Sequence, residues 1–318
     1  MAMDTDKNKT IVTVCDRAFI WAAYLLIASL RYHNVNIRIH VLIRDFTDKG
    51  KLLLEQFGDV RLIGIVDRGA GVLLKPEAIL TAESEYITWI DADCIVTGDV
   101  ARYLIAPGES LQIRTKGRAE LAEVYKSHYG SDDEYGTIPK KVLGIWKRGV
   151  GENDVPRMDT TCSTNYFTLH KKHLAFIKKW QKQIAKAIPK STKKVIDKKS
   201  SAYFQTDESV LNSLLIFAHD APPISEMLLD KDPLAYLVHF VRMPKPWQMW
   251  RLEHLKYFDH VMTILDWIKE KGYKAPPIPW SLRRRNKSLC YVVAYAYRFM
   301  YRLKNHIQHR IYKSQRGS

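Results

Sequence analysis

Strand-like and helix-like segments alternate through the first third of this chain, and this alternation limits the possible fold more than any other feature. The strand-like segments are short and rich in β-branched and aromatic residues, whereas the segments between them carry apolar residues at helical spacing. Such alternation is typical of a parallel α/β sheet with crossover helices. The predicted strands are 11–15, 36–43, 60–66 and 86–90, and the predicted helices are 19–32, 49–57 and 75–82.

Two aspartates follow the fourth predicted strand directly, Asp91 and Asp93, with one alanine between them. Ligands bind at the carboxyl ends of strands in open α/β sheets. Two carboxylates one residue apart can turn toward one hard cation, so the motif predicts a metal site. A solvated surface turn is the alternative for an isolated Asp-x-Asp, but the apolar residues on both sides favour a partly buried metal site.

The composition is that of a globular protein with an unusual charge. The chain has 318 residues, of which 46% are hydrophobic and 26% charged, enough for one large or two modest domains. Its formal net charge is +16. A basic excess of this size indicates an acidic partner such as nucleic acid, anionic lipid or a phosphorylated substrate.

Several classes of protein are disfavoured by what the sequence lacks. Its four cysteines form no Cys-x-x-Cys pair, which predicts reduced thiols in a cytoplasmic protein. Residues 1–10 are polar, so no signal peptide is predicted, and no apolar run reaches the ~20 residues that a membrane span needs. Neither a dinucleotide-binding Gly-x-Gly-x-x-Gly nor a P-loop motif is present.

The middle of the chain is less regular. Residues 106–160 are rich in Gly, Pro and charge, which predicts loops over a site rather than core. Eleven lysines and one acid occupy 171–199; they form either a solvated helix face and loop or a contact with a phosphate-bearing acceptor or membrane. Further predicted elements are strands at 166–169 and 236–241 and helices at 172–188 and 207–217.

A second informative stretch runs from His239 to Trp247 and contains Lys245. A lone histidine in a strand is usually a core residue, but this one precedes a lysine by six residues in a Pro-containing loop, so both can reach one small ligand. An imidazole with two carboxylates suits Mn²⁺ better than a cage of oxygens alone would. Lys245 would then face the phosphates that the metal also holds.

The last 38 residues form a basic and aromatic tail. Residues 281–318 contain ten Lys and Arg and no acid. This pattern predicts an amphipathic helix at an anionic membrane surface. A packed terminal helix and an RNA-binding tail are the alternatives. Apolar residues recur three or four positions apart, at Leu289, Val292, Tyr295, Phe299 and Leu303.

Taken together, the motifs resemble those of the family 8 glycosyltransferases, enzymes of the GT-A fold. The resemblance covers about residues 11–250 and rests on several motifs in the family's order. They are Val-Thr-Val-Cys-Asp-Arg-Ala-Phe at 12–19, Ser29-Leu30, Ile-Arg-Ile-His-Val-Leu at 37–42, Asp91-Ala92-Asp93 with Gly98-Asp99, Thr-Asp-Glu-Ser-Val-Leu-Asn at 206–212, and His239 with Lys245-Pro246-Trp247.

The resemblance implies roles for individual residues. It implies that Mn²⁺, with Mg²⁺ as the alternative, is bound by Asp91, Asp93 and His239 together with the donor diphosphate. It implies that Asp16 contacts the nucleotide and Lys245 a phosphate. Asp207 and Glu208 are the catalytic candidates, and the residues implied to bind the nucleotide sugar are Asp16, Lys75, Asp91, Asp93, Asn165 and Lys245.

The chain departs from the family pattern at the sugar end. Ala18 stands where the family often has Asn, and Lys75 lies near the position of an Arg. The segment Ser163-Thr164-Asn165 replaces Asn-Ala-Gly, and Glu208 replaces a Gln. The resemblance therefore implies the family's reaction with an altered sugar site, in which Asn165 and Glu208 face the donor sugar.

The resulting prediction is a GT-A α/β enzyme with a Rossmann-like nucleotide-binding sheet, a mixed-sheet acceptor half and a helical basic tail. The transferase domain spans 1–250, with halves at 1–105 and 106–250, and the membrane-associating region spans 251–318. The enzyme would move a sugar from a UDP-sugar to a cell-surface glycan or lipid-linked acceptor with retention, on the inner face of a bacterial membrane. No nucleic acid partner is expected. A nucleotidyl or sugar-phosphate transferase and a non-catalytic membrane-peripheral protein are the alternatives.

Overall fold

The computed structural model describes residues 8–65, 71–188, 201–227 and 236–314, with side chains at all of these positions except 71–72 and 305–314. The strands are β1 (Lys9–Asp16), β2 (Arg38–Arg44), β3 (Val60–Gly64), β4 (Tyr86–Ile90), β5 (Cys94–Val96), β6 (Leu111–Thr115), β7 (Cys162–His170), β8 (Ile224–Glu226) and β9 (Leu237–His239). The helices are α1 (Ile20–Tyr32), α2 (Asp48–Glu55), α3 (Lys75–Ile79), α4 (Arg118–Val124), α5 (Lys140–Val150), α6 (Leu174–Ala187), α7 (Asp207–Phe217), α8 (Phe258–Glu270) and α9 (Lys287–Ser314).

The first half of the chain forms the parallel α/β sheet that the alternation predicts. Strands β3, β2, β1 and β4 are neighbours in that order and all run parallel. Helix α1 is apolar on all sides and is buried over nearly its whole length because it lies between this sheet and α8. The carboxyl ends of the four strands therefore meet along one edge of the sheet.

The second half extends the same sheet with mixed strand directions, as predicted. Strand β7 is antiparallel to β4, β6 is antiparallel to β7, and β8 is parallel to β6, which gives the order β3-β2-β1-β4-β7-β6-β8. Because β7 runs against its neighbours, its first residues lie beside the carboxyl ends of β4 and β6. Polar residues from both halves thus reach the same edge.

A short two-stranded sheet places the start of the stretch 239–247 at this edge. Strand β5 pairs with β9 in antiparallel fashion, and Cys94 lies opposite His239. Close packing beneath this sheet requires a glycine at position 98, since a Cβ there would lie 2.3 Å from the ring of Tyr236. Strand β9 ends at His239 rather than at 241 as predicted, because its partner β5 begins at Cys94, opposite His239.

The prediction of loops over residues 106–160 was wrong. This region contains β6, α4 and α5, and it contributes to a separate core cluster in which Tyr125 and Trp146 are fully buried. Helix α5 buries Val142 and Trp146, which are four residues apart, and leaves its other face in solvent. A short basic helix contains few apolar residues at this spacing, so its sequence resembles that of a loop. The helix nevertheless contributes two residues to the core.

The other differences are in the ends of elements. Strand β7 begins four residues before the predicted strand because Cys162 and Ser163 pair with the end of β6. The basic helix begins at Leu174, after a 3₁₀ turn at Lys171–His173. Residue 66, at the end of the third predicted strand, and residues 189–199 of the lysine-rich stretch lie outside the described residues.

The C-terminal region is helical, as predicted, and begins within the main core. Helix α8 packs on α1, and Cys290 and Ala294 of α9 are buried in the same core as α1. Most of the other described side chains of α9 are exposed, including Val292 and Phe299. None of the described helices combines the length and the apolar character that crossing a membrane requires. The boundary predicted at residue 250 stays a prediction.

We predict that Trp146→Ala lowers the free energy of unfolding by ~3–5 kcal/mol, because it removes a fully buried indole and leaves a cavity. The substitution also removes the hydrogen bond from the indole N–H to the Ala202 carbonyl, 3.0 Å away. Urea denaturation followed by circular dichroism measures the change. Tyr135→Ala, at a side chain 63% exposed, is the control and should change stability by no more than about 0.5 kcal/mol. A loss below ~1 kcal/mol for Trp146→Ala would show that residues 106–160 are not packed core.

Candidate functional site

A cavity of about 880 Å³ opens where the strands end. It extends from the ends of β1 and β2, past β4, to the start of β7 and the end of β6. Eight of the nine residues that the sequence predicted for the site line it, and the ninth, Lys245, contacts one of them. The eight are Asp16, Lys75, Asp91, Asp93, Asn165, Asp207, Glu208 and His239.

The middle of the cavity is formed by the two aspartates and His239. The imidazole Nε2 lies 3.2 Å from Asp93 Oδ1 and 3.8 Å from Asp91 Oδ2. Backbone hydrogen bonds fix this arrangement, because the Asp91 N–H donates to the Asn165 carbonyl at 2.8 Å and the Phe240 N–H donates to the Asp93 carbonyl at 3.0 Å. The three side chains therefore converge, as the sequence predicted.

Lys75 is buried beside this group and joins it to α7. Its Nζ lies 2.9 Å from Asp91 Oδ1 and 3.0 Å from Asp207 Oδ2, and it donates to the Thr164 carbonyl at 3.1 Å. Burial lowers the pKa of Lys75, but the charges of Asp207 and Asp91 outweigh burial and raise it. The lysine is therefore charged and links β4, β7 and α7 at the site.

Lys245 holds the other aspartate. Its ammonium contacts Asp93 and also donates to the Phe240 carbonyl at 2.6 Å. Its side chain is 9% exposed. The loop that carries it contains a cis peptide bond between Met243 and Pro244. The two lysines thus place two ammonium groups against the aspartate pair, one on each carboxylate.

Asp16 and Arg44 form one end of the cavity. Asp16 ends β1 and accepts a hydrogen bond from the Phe19 N–H at 3.1 Å, so it begins the turn that leads into α1. Its other oxygen lies 3.2 Å from Arg44 Nη2, at the end of β2. The sequence predicted Asp16 in the site but did not predict its arginine partner.

Glu208 and Lys116 form the opposite end. Glu208 Oε1 contacts the Lys116 ammonium, while Oε2 accepts the Thr164 N–H at 3.0 Å. Glu208 is the second residue of α7, which begins directly after Thr206, whose φ of +53° is rare for a β-branched residue. Asn165 also lines this part of the cavity, and its Oδ1 is buried with no hydrogen-bond partner among the described residues.

The charge states at the centre follow from burial and from these contacts. Burial disfavours ionisation of Asp93, but contacts with His239 and Lys245 outweigh it and hold the pKa of Asp93 below its usual value. Burial lowers the pKa of His239, but Asp93 and Asp91 reverse this and raise it. Burial raises the pKa of Asp91, in opposition to Lys75 and His239. The centre is therefore a coupled group of acids and cations.

The donor atoms at the centre fit a divalent cation. Carboxylate oxygens and imidazole nitrogen are ligands for Mn²⁺ and, less well, for Mg²⁺. The side chains of Asp91, Asp93 and His239 are 19%, 19% and 23% exposed, so they are accessible from the cavity. Cys94 Sγ lies in one group with Asp93 and His239, whose ligand atoms are within 4.8 Å of one another. Burial raises the pKa of Cys94, which keeps its thiol protonated and leaves Asp91 as the better third ligand.

The residues of this site that the sequence did not predict include Arg44, Cys94, Arg114 and Lys116. Lys116 and Arg114 were missed because the region around β6 was predicted to be loop. A signal was present, since Leu-Gln-Ile at 111–113 alternates like a strand and is followed by charged residues, as in the Asp91 motif. Arg44 also ends a strand, at the same edge as Asp16.

Comparison with known proteins identifies the fold. No protein-family model and no curated sequence matches the chain. The solved structures similar to it include the bifunctional glycosyltransferase WbbM in apo form, with a TM-score of 0.56 and 14% identity, and the glycosyltransferase GlyE of Streptococcus pneumoniae, with 0.50 and 16%. These matches cover 89% and 85% of this chain, but the chain spans only 52% of WbbM and 65% of GlyE. The predicted GT-A glycosyltransferase fold is confirmed.

We predict that protonation of His254, another buried residue that lines the cavity, destabilises the fold at acidic pH. Burial lowers the pKa of His254 to about 4, whereas an unfolded histidine titrates near ~6.5. Because the unfolded chain binds this proton more tightly than the folded chain, lowering the pH favours unfolding. The contribution of His254 to the free energy of unfolding is fully present above pH ~6.5 and is lost as pH falls toward about 4, by roughly 2 kcal/mol between pH 7 and 4.5.

Urea denaturation at these two pH values measures the loss. Between pH 7 and 4.5, the free energy of unfolding of His254→Gln should fall by roughly 2 kcal/mol less than that of the wild type. His219→Gln, at an exposed position, is the control and should retain the wild-type dependence. An unchanged pH dependence in His254→Gln would contradict the prediction.

Proposed function

We propose that this protein is a metal-dependent glycosyltransferase that uses a nucleotide-sugar donor, specifically a UDP-sugar. The observation that carries the proposal is the cluster at the centre of the cavity, where Asp91, Asp93 and His239 converge beside Lys245. Carboxylates and imidazole at a strand end fit a divalent cation, and the lysine supplies a second positive charge for a diphosphate.

The dimensions of the cavity support a donor of this length. From β2 to β6 the sheet order crosses four strand spacings, which is ~19 Å. A nucleoside at the Asp16 end, a diphosphate at the centre and a sugar near Glu208 would occupy successive parts of this span. Asp16 has a carboxylate suited to ribose or base, and Glu208 has one suited to sugar hydroxyls.

The proposed mechanism assigns charge stabilisation to the centre and orientation to α7. A bound divalent cation would supply Lewis-acid stabilisation of the leaving diphosphate. The ammonium of Lys245 lies against Asp93 and would turn to a phosphate oxygen as negative charge develops there. Asp207 and Glu208, fixed by Lys75 and Thr164, would orient the donor sugar for attack by the acceptor hydroxyl. The leaving phosphate would accept the acceptor's proton, in a reaction that retains the anomeric configuration.

The two alternative functions have less support. Nucleotidyl and sugar-phosphate transferases use a Gly-rich basic loop after the first strand, whereas here Asp16 caps a 3₁₀ turn at Arg17–Phe19. A non-catalytic scaffold protein would gain nothing from acids and lysines buried at the centre, because each buried charge has a desolvation cost. No observation favours either alternative over transfer.

The proposal includes binding to the anionic inner face of a bacterial membrane through α9. Its side chains from Leu289 to Leu303 include a set of exposed apolar residues: Leu289, Val292, Tyr295, Phe299, Met300 and Leu303. Arg298, Arg302 and Lys304 are exposed in the same part of the helix. Such a helix fits a lipid surface, and a glycan or lipid-linked acceptor there would be within reach of the site.

We predict that Asp93→Asn and His239→Gln each lower turnover by a factor on the order of 10²–10³, because each removes a ligand of the proposed metal. Release of free UDP from a panel of UDP-sugars, with and without Mn²⁺, measures the activity. EDTA should abolish the activity of the wild type, and Mn²⁺ should restore it. Asp99→Asn, an exposed acid that follows the motif, is the control and should retain wild-type turnover. Full activity in EDTA would disprove metal dependence.

We predict that a chain ending at Tyr297 loses binding to anionic liposomes by at least tenfold and keeps donor hydrolysis. The truncation removes six basic residues, and each contributes ~1 kcal/mol near an anionic surface. It spares Cys290 and Ala294, which are core residues and would be lost in a shorter chain.

Cosedimentation with anionic and with neutral vesicles, at low and high salt, measures this binding. Full-length binding should weaken as salt rises. Lys178→Gln with Lys182→Gln, on the exposed face of α6, is the control for loss of charge elsewhere and should bind like the wild type. Sedimentation of the truncated chain at the wild-type level would rule out the tail as the membrane-binding element.

A further inference from the structure

The end of the cavity near β6 is closed by a lysine that the backbone holds firmly. The Lys116 side chain is only 3% exposed. Its N–H donates to the Thr161 carbonyl at 2.8 Å, and its own carbonyl accepts from Thr160 Oγ1 at 2.6 Å. Its ammonium group contacts Glu208. A buried ammonium held in this way is a fixed part of the cavity wall.

Glu208 is bound on both of its oxygens. One contacts Lys116, and the other accepts the Thr164 N–H at 3.0 Å and lies 3.4 Å from Thr164 Oγ1. Burial raises the pKa of Glu208, but the charge of Lys116 outweighs it and holds the pKa below its usual value. With 15% of its side chain exposed to the cavity, Glu208 presents an ionised carboxylate that can only accept hydrogen bonds.

The cations around this end all have acidic partners. Arg114 makes a two-pronged contact with Glu120, at 2.7 and 2.8 Å. Lys75 contacts Asp91 and Asp207, and Lys116 contacts Glu208. Among the described residues that line this end, each positive charge is therefore balanced by at least one carboxylate.

We infer that Lys116 and Glu208 form a specificity-determining pair that selects an uncharged donor sugar over a uronic acid. This inference rests on the proposed function, in which this end of the cavity holds the sugar. The hydroxyl groups of a neutral sugar can donate to Glu208. The carboxylate of a uronic acid would enter a partly buried space whose cations are already paired, beside an ionised glutamate. Placing it there leaves a buried charge without a partner.

The matched pair UDP-glucose and UDP-glucuronate tests this selection, because the two differ only in the oxidation of one carbon. UDP-galactose and UDP-galacturonate form a second pair, which covers the other common stereochemistry. Calorimetric titration of the full-length protein with Mn²⁺ measures the affinities. In at least one pair, the uronate should bind at least ~30-fold more weakly than the neutral sugar.

Two variants separate selection by this pair from a merely structural role. In Glu208→Gln, the Lys116 ammonium loses its carboxylate partner and can pair with the carboxylate of a uronic acid. The ratio of the two affinities should therefore shift toward the uronate by at least ~10-fold. Lys116→Met combined with Glu208→Gln removes that ammonium and should restore preference for the neutral sugar. Glu123→Gln is the matched control, because Glu123 forms an exposed pair with Lys126, 3.9 Å apart, and should leave the ratio unchanged.

The outcomes distinguish this inference from the proposed function. Equal binding of neutral sugar and uronate by the wild type overturns the selection while leaving a nucleotide-sugar enzyme in place. An unchanged ratio in Glu208→Gln also overturns it. If Glu208→Gln does not fold, the wild-type ratio decides the result, because equal binding of the two sugars overturns the selection. If none of the four compounds binds, the proposed donor class fails and the inference fails with it.

Discussion

One buried ammonium group ties the two halves of the sheet together at the site. Lys75 contacts Asp91 at the end of β4 and Asp207 at the start of α7, and it donates to the Thr164 carbonyl in β7. Removing one partner of a buried ion pair commonly costs ~3–5 kcal/mol, because it leaves the other charge unpaired. Here one lysine balances two carboxylates, so the position of α7, and with it Glu208, depends on this contact.

The remaining charges repeat the same arrangement across the sheet. Pairs follow one another from Asp16 with Arg44, through the lysines on the central aspartates, to Glu208 with Lys116. Strands β1, β2, β4 and β6 run in the same direction, so their carboxyl ends, and the charged residues there, meet at one edge. A ligand with alternating hydroxyl and phosphate groups meets acids and cations in turn along such a cavity. This supports the order of nucleoside, diphosphate and sugar in the proposed function.

The sequence predicted the elements whose signal is local and missed the contacts that form only in the fold. Apolar runs predicted β1, β2 and β4, and the spacing of His239 and Lys245 predicted a shared site with the aspartates. The pair of Lys116 with Glu208 joins residues 92 positions apart, and neither side chain alone indicates a partner. Trp146 was likewise assigned to a loop, because its partners Tyr125 and Phe217 come from other elements. Long-range pairing, rather than propensity, accounts for these misses.

Charge balance in the cavity also explains where the basic character of the chain resides. Arg44, Arg114 and the three buried lysines of the site, Lys75, Lys116 and Lys245, are paired with acids, so these cations contribute little to the net charge of +16. The lysine-rich stretch 171–199 has eleven lysines and one acid, and residues 281–318 have ten cations and none. These two stretches alone exceed the net excess. In the proposed function, the donor phosphates would contact a few buried lysines, whereas Arg298, Arg302 and Lys304, on the described part of α9, are exposed and would face the anionic surface.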